Sequence, residues 1–417
     1  MNNQNGQIKK TLIISLLVFF LLISCNNLQS PSNSSAVVEL GNPLASDGKT
    51  GRALNVWDLQ VFNHKIYLAG GSTVENAGPI GVWAYNPATQ LFDREYTVNE
   101  EAIERFKVFD NELYIPASDP RDADSSKFYR RSKDGEWHKY SSSNVPLAHV
   151  RDLIKTNSGN FLLVGNSRDP QAPKSPSAAM MNSDSLKFQG AGLEELPIID
   201  GFPILFYNWF FSVFSYQKNI YATTAFLKNK INYKGVVAVY NFSKQEFEPD
   251  NSLSNIDFIP IDVNQNVDRP ITNCLWNAIE YKNSLIYAVR SYSIVPSSAA
   301  QDYLNSIGIF FKKSLRSPPE KAVFLDREAV GEDLLLHEGY LYALANKKES
   351  SDRYTVYVYK TNLSSFNDNW QEVLHFSSDT RARSFELFDK KFYFGLGNNY
   401  KEGVNNSGTL LIYKISL

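Results

Sequence analysis

Residues 63–71 read Asn63-His64-Lys65-Ile66-Tyr67-Leu68-Ala69-Gly70-Gly71: a polar turn, a short apolar strand with a tyrosine at its centre, and a glycine pair. The phrase returns six times, as DNELYIPAS around Tyr114, SGNFLLVGN around Leu162, QKNIYATTA around Tyr221, NSLIYAVRS around Tyr287, EGYLYALAN around Tyr342 and DKKFYFGLG around Tyr393. The anchors are spaced by 47, 48, 59, 66, 55 and 51 residues. That period suits a four-stranded sheet with its loops and is too long for most helical or leucine-rich repeats. The expected fold is all-β: a seven-bladed β-propeller of four-stranded antiparallel blades.

Each repeat supplies its own strands. In the first they read Val56 to Phe62, Ile66 to Ala69, Gly81 to Tyr85 and Leu91 to Tyr96. The innermost strands of the others are expected at Arg105 to Phe109, Val150 to Ile154, Phe211 to Tyr216, Trp276 to Tyr281, Asp333 to His337 and Ser384 to Phe388. Runs such as Phe210-Phe211-Ser212-Val213-Phe214 are apolar on both faces, as strands sandwiched between neighbouring blades must be. The seventh repeat ends in GTLLIYKISL and lacks a fourth strand, whereas Ala36 to Leu40 (AVVEL) is a strand without a repeat. Pairing the two closes the ring and hides the edges that an open array exposes.

The chain of 417 residues, 43% hydrophobic and 13% aromatic, can bury a large core, and the radial repeat makes that core one closed unit despite its length. Residues 1–24 have the parts of an export signal: Lys9 and Lys10, an apolar run from Leu12 to Ile23 broken by Ser15, then Ser24. Twelve helical residues span about 18 Å, short of the ~30 Å hydrocarbon core, so the segment is a signal rather than a stable span. Leu22-Ile23-Ser24-Cys25 resembles the lipobox of bacterial lipoproteins. The resemblance implies cleavage before Cys25, a diacylglyceryl group on its sulfur and, in many bacteria, an acylated amino terminus; two or three chains anchor a protein stably. Residues 25–34 then form the lipidated cysteine with a polar tether, the last nine reaching roughly 17 Å r.m.s., and residues 35–417 the propeller. The expected location is the cell envelope, the body held outside the cytoplasm on the cytoplasmic or outer membrane through Cys25. Loss of the leader moves the formal charge from −2 to −4, which offers nucleic acid no global attraction. With Cys25 lipidated, Cys274 is the remaining thiol, too few for an internal disulfide.

Ile66-Tyr67-Leu68-Ala69-Gly70-Gly71 followed by VWAYNPATQLF from Val82 resembles a kelch repeat: a hydrophobic strand ending in two glycines, then a strand, a tyrosine, a turn and an aromatic. The likeness fades in later repeats, where the glycine pair becomes Ala117-Ser118, Gly165-Asn166 or Leu396-Gly397. Kelch proteins include oxidases, sugar-acid isomerases and adaptors, so the resemblance implies a scaffold and leaves function open.

Loop lengths point to one face. Turns between first and second strands are short, as at Asp110-Asn111, Glu338-Gly339 and Asp389-Lys390, while Asn166 to Pro176, Gln189 to Asn208, Pro249 to Asn273 and Arg290 to Ser306 are long connections that leave the opposite end of the blades. Around the channel mouth on that face the register gathers Trp57 and Asp58, Arg105, Arg151 and Asp152, Trp209, Trp276 and Asn277, Glu332 and Asp333, and Arg383. Guanidinium forks suit carboxylate or phosphate, and indoles suit sugar faces or apolar anchors. The same residues could instead pair with one another and fill space.

Catalytic and cofactor motifs are few. His64, His138, His149, His337 and His375 show no i, i+4 pair and no cysteine partner, so no metal site is expected. Gly48-Lys49-Thr50 has Pro43 where a P-loop has its first glycine, and Asp119, Asp122 and Asp124 lack the closing glutamate of a calcium loop. No cofactor is expected. Two readings remain: a membrane-tethered, non-enzymatic module binding a protein, peptide or glycan, or an enzyme acting on a sugar or sugar acid with Asp58, Asp152 or Asp333 as acid or base and Arg105, Arg151 and Arg383 holding the anion.

Overall fold

The computed structural model describes residues 37–73, 75–121, 125–145, 147–167, 176–191, 209–224, 226–228, 233–234, 236–250, 252–253, 258, 271–293, 303–363, 369–397 and 406–414. The leader, Cys25, the tether, Asp122, Asp124 and most of the long connections lie outside them. Seven antiparallel sheets follow one another along the chain, as the repeat predicts. Blade one comprises Asp58–Phe62, Lys65–Ala69, Ile80–Asn86 and Leu91–Val98 in that spatial order, and every later blade repeats the up-and-down path. All seven anchors fall in the second strands, and six of them are buried.

Local chemistry accounts for the inner hairpins. Asn63 and His64, Asp110 and Asn111, Gln217 and Lys218, Glu338 and Gly339, and Asp389 and Lys390 all have positive φ at both central positions, the two-residue turn whose twist matches paired strands. The glycine pair of blade one has a different reason. Gly71 sits at φ +104°, and a Cβ there would come within 2.6 Å of the Glu101 carbonyl of the next blade crossing.

Closure is as the two half-blades require. Val37–Gly41 pairs with Leu410–Lys414, with Val37 opposite Tyr413 and Glu39 opposite Leu411. The chain then turns through Asn42, which donates to the Ser407 carbonyl at 2.6 Å and caps the short helix Pro43–Ser46. That helix buries Leu44 against Val56, Leu68, Tyr393 and Leu410, so one cluster seals blade seven to blade one.

Blade five departs from four strands. A hairpin of Phe226–Lys228 and Tyr233–Lys234, from the connection within blade four, pairs with the start of its inner strand and makes a six-stranded sheet. That inner strand runs Ile271–Tyr281, five residues earlier than the sequence suggests, and survives a bulge at Asn277, whose φ is +47°.

Candidate functional site

Arginines and tryptophans stand on or just before most inner strands (Trp57, Arg105, Arg151, Trp209, Trp276, Arg383), and acids follow on several of them (Asp58, Asp152, Asp333, Glu386); the two sets form separate layers of the channel. In the first layer, guanidinium groups lie on indoles contributed by other blades. Arg105 of blade two lies 3.8 Å from the ring centroid of Trp276 in blade five, Arg383 of blade seven 4.1 Å from Trp57 in blade one, and Arg151 of blade three 4.9 Å from Trp209. Desolvated cation–π contacts of this kind are among the strong ones. Ion pairs complete the layer: Arg105 with Asp152 at 2.9 Å, Arg151 with Glu104 at 2.9 Å, and Arg290 with Glu332 at 3.7 Å.

Every residue expected at the mouth is therefore present in the channel. Arg105, Arg151, Asp152, Trp209, Trp276, Asp333 and Arg383 are buried there, Asp58 stands at the edge of burial, and Asn277 is partly exposed. They converge as packed interior, stacked and paired, and not as a solvated rim. Arg290 joins them without being legible in the pattern of inner-strand starts, because it sits on the second strand of blade five, opposite Cys274. Its one signal in the sequence is a charge directly after the apolar run Ile286 to Val289. It lies 4.3 Å from the same Trp276 ring and donates to the Arg383 carbonyl at 3.1 Å. Cys274 is buried among these groups, burial pushes its thiol up to about 12, and it is poorly suited to act as a nucleophile.

The second layer is acidic. Asp58 accepts the Phe106 amide of the next blade at 2.7 Å, Asp152 accepts the Val213 amide of the next blade at 3.1 Å, and Glu386 of blade seven accepts the Val61 amide of blade one. Asp333 accepts its neighbour Leu334 at 2.9 Å and the Asn277 side chain of blade five at 2.5 Å. These carboxylates are staples between adjacent inner strands. They also border a cavity of about 280 Å³ on the hairpin side of the arginine–tryptophan layer, lined further down by Lys107, Ile279 and Leu336. Lys107 is 3.0 Å from Asp152, the acid of this layer that already holds Arg105. Burial pushes Asp58 up to about 6. Burial, then repulsion from Asp58, pushes Asp333 up to about 7, and the same two causes, with Asp333 added, hold Glu386 well above the usual carboxylate range.

On the long-loop side the structure joins two residues that the sequence left apart. His149 Nε2 lies 3.2 Å from Asp119, its Nδ1 lies 2.7 Å from Asn166 Oδ1, and its ring stacks on Trp209 at 5.1 Å. Among the described residues, no group of three or more His, Cys, Asp or Glu is placed to hold a metal ion.

No family model matches the chain, and no curated protein does, so nothing in these comparisons supports a kelch repeat. Two solved structures align along most of the chain. A polysaccharide lyase, Uly1, aligns over 94% of both chains at 11% identity with a TM-score of 0.42. A PL25 ulvan lyase aligns over 85% of this chain and 83% of its own at 9% identity with a TM-score of 0.36. At these values the likeness carries no argument about this chain's chemistry.

Proposed function

We propose that the protein is a lipid-tethered binding module of the cell envelope, held through Cys25, whose long-loop face takes a protein, peptide or glycan. The observation that carries this reading is the fate of the channel charges. Arg105 and Arg151 are spent on Asp152 and Glu104 and on tryptophan faces, and Asp58, Asp152 and Glu386 bind backbone amides of neighbouring blades. A hub whose charges are engaged internally works as a rigid support, and recognition then falls to the loops it displays.

A second reading has its own support. Asp333, pushed up to about 7 beside a cavity, retains a proton near neutrality and could act as a general acid toward a sugar or sugar acid. One set of measurements separates the two. Under the binding reading, wild-type protein leaves uronic-acid and neutral polysaccharides intact, and metabolic labelling with a fatty acid marks wild type but not Cys25→Ser. Turnover of a polysaccharide that disappears in Asp333→Asn would establish the enzyme instead, and equal labelling of Cys25→Ser would remove the tether.

A further inference from the structure

Blade six carries a cleft at its hairpin end, remote from the long-loop face. The second strand begins there with Tyr340, the third ends there with Lys360 to Asn362, and the fourth begins there with Gln371. The cleft has a volume of about 480 Å³, and Leu325, Tyr340, Lys360, Asn369, Trp370 and Gln371 line it. That volume falls in the range of small-ligand sites and is too small for a docked helix or strand pair.

The chemistry of the lining selects a ligand. Tyr340 is 42% exposed and Leu325 69% exposed, an aromatic and an aliphatic surface turned to solvent on a blade whose other large side chains are mostly buried. Lys360 holds its Nζ 5.6 Å from the Tyr340 ring centroid, so ring and cation act on the same ligand. Asn369 and Gln371 add side-chain amides, and among the described residues no carboxylate lines the cleft. Of the described acids near it in sequence, Asp326 pairs with Lys347 at 3.2 Å and Glu372 with His375 at 2.7 Å.

The wall behind the cleft has spare hydrogen-bonding capacity. Phe324 stacks on Tyr359 at 4.7 Å and meets Trp370 edge-on at 5.2 Å, which fixes the wall. Yet the Thr361 hydroxyl and the Trp370 indole N–H, both on residues that line the cleft, are buried without a hydrogen-bond partner. Unpartnered buried groups are rare in folded proteins, and two beside one cleft mark a place where a bound hydroxyl or an ordered water belongs.

We propose that this cleft binds an acidic saccharide: a pyranose ring whose C–H face lies on Tyr340, whose hydroxyls meet Asn369 and Gln371, and whose carboxylate or sulfate meets Lys360. The assignment is independent of the long-loop face, since the two lie at opposite ends of the blades. Titration calorimetry on the full-length protein in detergent, with tetragalacturonate, a sulfated chondroitin tetrasaccharide and neutral cellotetraose, tests it. At least one of the two acidic probes is expected to bind at millimolar concentration or better; binding of both points to the uronate carboxylate they share, and binding of the chondroitin probe alone to its sulfate. Tyr340→Ala is expected to weaken binding about tenfold, the loss of one aromatic platform, and Lys360→Gln to bring it down to the level of the neutral probe. Leu91→Ala, an exposed position on blade one, leaves binding unchanged. Both tested side chains are partly exposed, so melting curves of the variants should match wild type. Failure of both acidic probes to bind, equal binding of the neutral one, or wild-type affinity in Tyr340→Ala and Lys360→Gln overturns the proposal.

Discussion

Arg105 of blade two and Arg290 of blade five meet on one indole, that of Trp276, at 3.8 and 4.3 Å from its ring centroid. Two buried cations thus share a neutral partner, and the carboxylates that balance them, Asp152 and Glu332, come from two further blades. Four blades depend on one ring. Trp276→Ala should therefore cost more than the removal of an ordinary core aromatic, which is about 3–5 kcal/mol. Denaturant unfolding of Trp276→Ala beside Phe310→Ala, a buried aromatic of the same blade that packs on Tyr287, checks this; equal losses would show that the guanidinium contacts contribute nothing.

The ion pairs predict a second contrast. Arg105→Gln leaves Asp152 buried with Lys107 as its remaining cation, and breaking a buried pair from one side typically costs about 3–5 kcal/mol. Asp93→Asn removes a solvated partner of Lys65 and should cost about 0–1 kcal/mol. Were Arg105→Gln as stable as Asp93→Asn, the guanidinium would be free of structural duty and available to an anionic ligand.

What the sequence made legible was whatever repeats locally. The turn, strand and anchor around Tyr67 recur because each blade must solve the same hairpin and burial problem, so blade number, strand order and closure by the N-terminal strand could be read from spacing. Asp58, Asp152 and Asp333 were found together because they occupy similar positions on their inner strands. Contacts that depend on how one blade faces another left no local trace. Arg290 comes from a second strand, and the His149–Asp119 pair joins blades three and two. The extra hairpin at Phe226–Lys228 is too short to show any hydrophobic period.

The raised carboxylates give stability a pH dependence with a definite sign. Asp333 titrates near 7 when folded and near 3.8 when its surroundings are water, as in the unfolded chain, so between those limits the folded state binds more protons. Stability from this group is complete below the unfolded value and is lost as pH rises through 7, at about 1.4 kcal/mol per unit of difference. Asp58, near 6, acts in the same direction over a narrower window. Asp333→Asn keeps an acceptor for the Leu334 amide and removes the charge, so it should melt higher than wild type at pH 8 and differ little at pH 4. Thermal melts at both pH values decide it; an unchanged difference between them would mean that Asp333 is ionised throughout.

Ring closure gives the last prediction. Val37–Gly41 forms the outer strand of blade seven through ladder pairs from Val37–Tyr413 to Gly41–Leu410, and it leads into the helix that places Leu44 between blades seven and one. Deletion of residues 36–40 removes most of those pairs, exposes the edge of Leu410–Lys414, and loosens the attachment of Leu44 at the same time. Fully burying a leucine alone is worth roughly 1.5–3 kcal/mol, and the opened edge invites pairing with a second chain. Deletion of residues 26–31, within the polar tether, leaves every strand pair of the seven blades in place. The first deletion should lower the melting temperature and promote aggregation on heating, and the second should do neither. Light scattering recorded during the melts distinguishes them. Identical melting and scattering for the two would mean that blade seven holds with three strands, and that the ring is closed by contacts between inner strands, those of Val56 with Leu396 and Ser384, of Arg383 with Trp57 and of Glu386 with Val61.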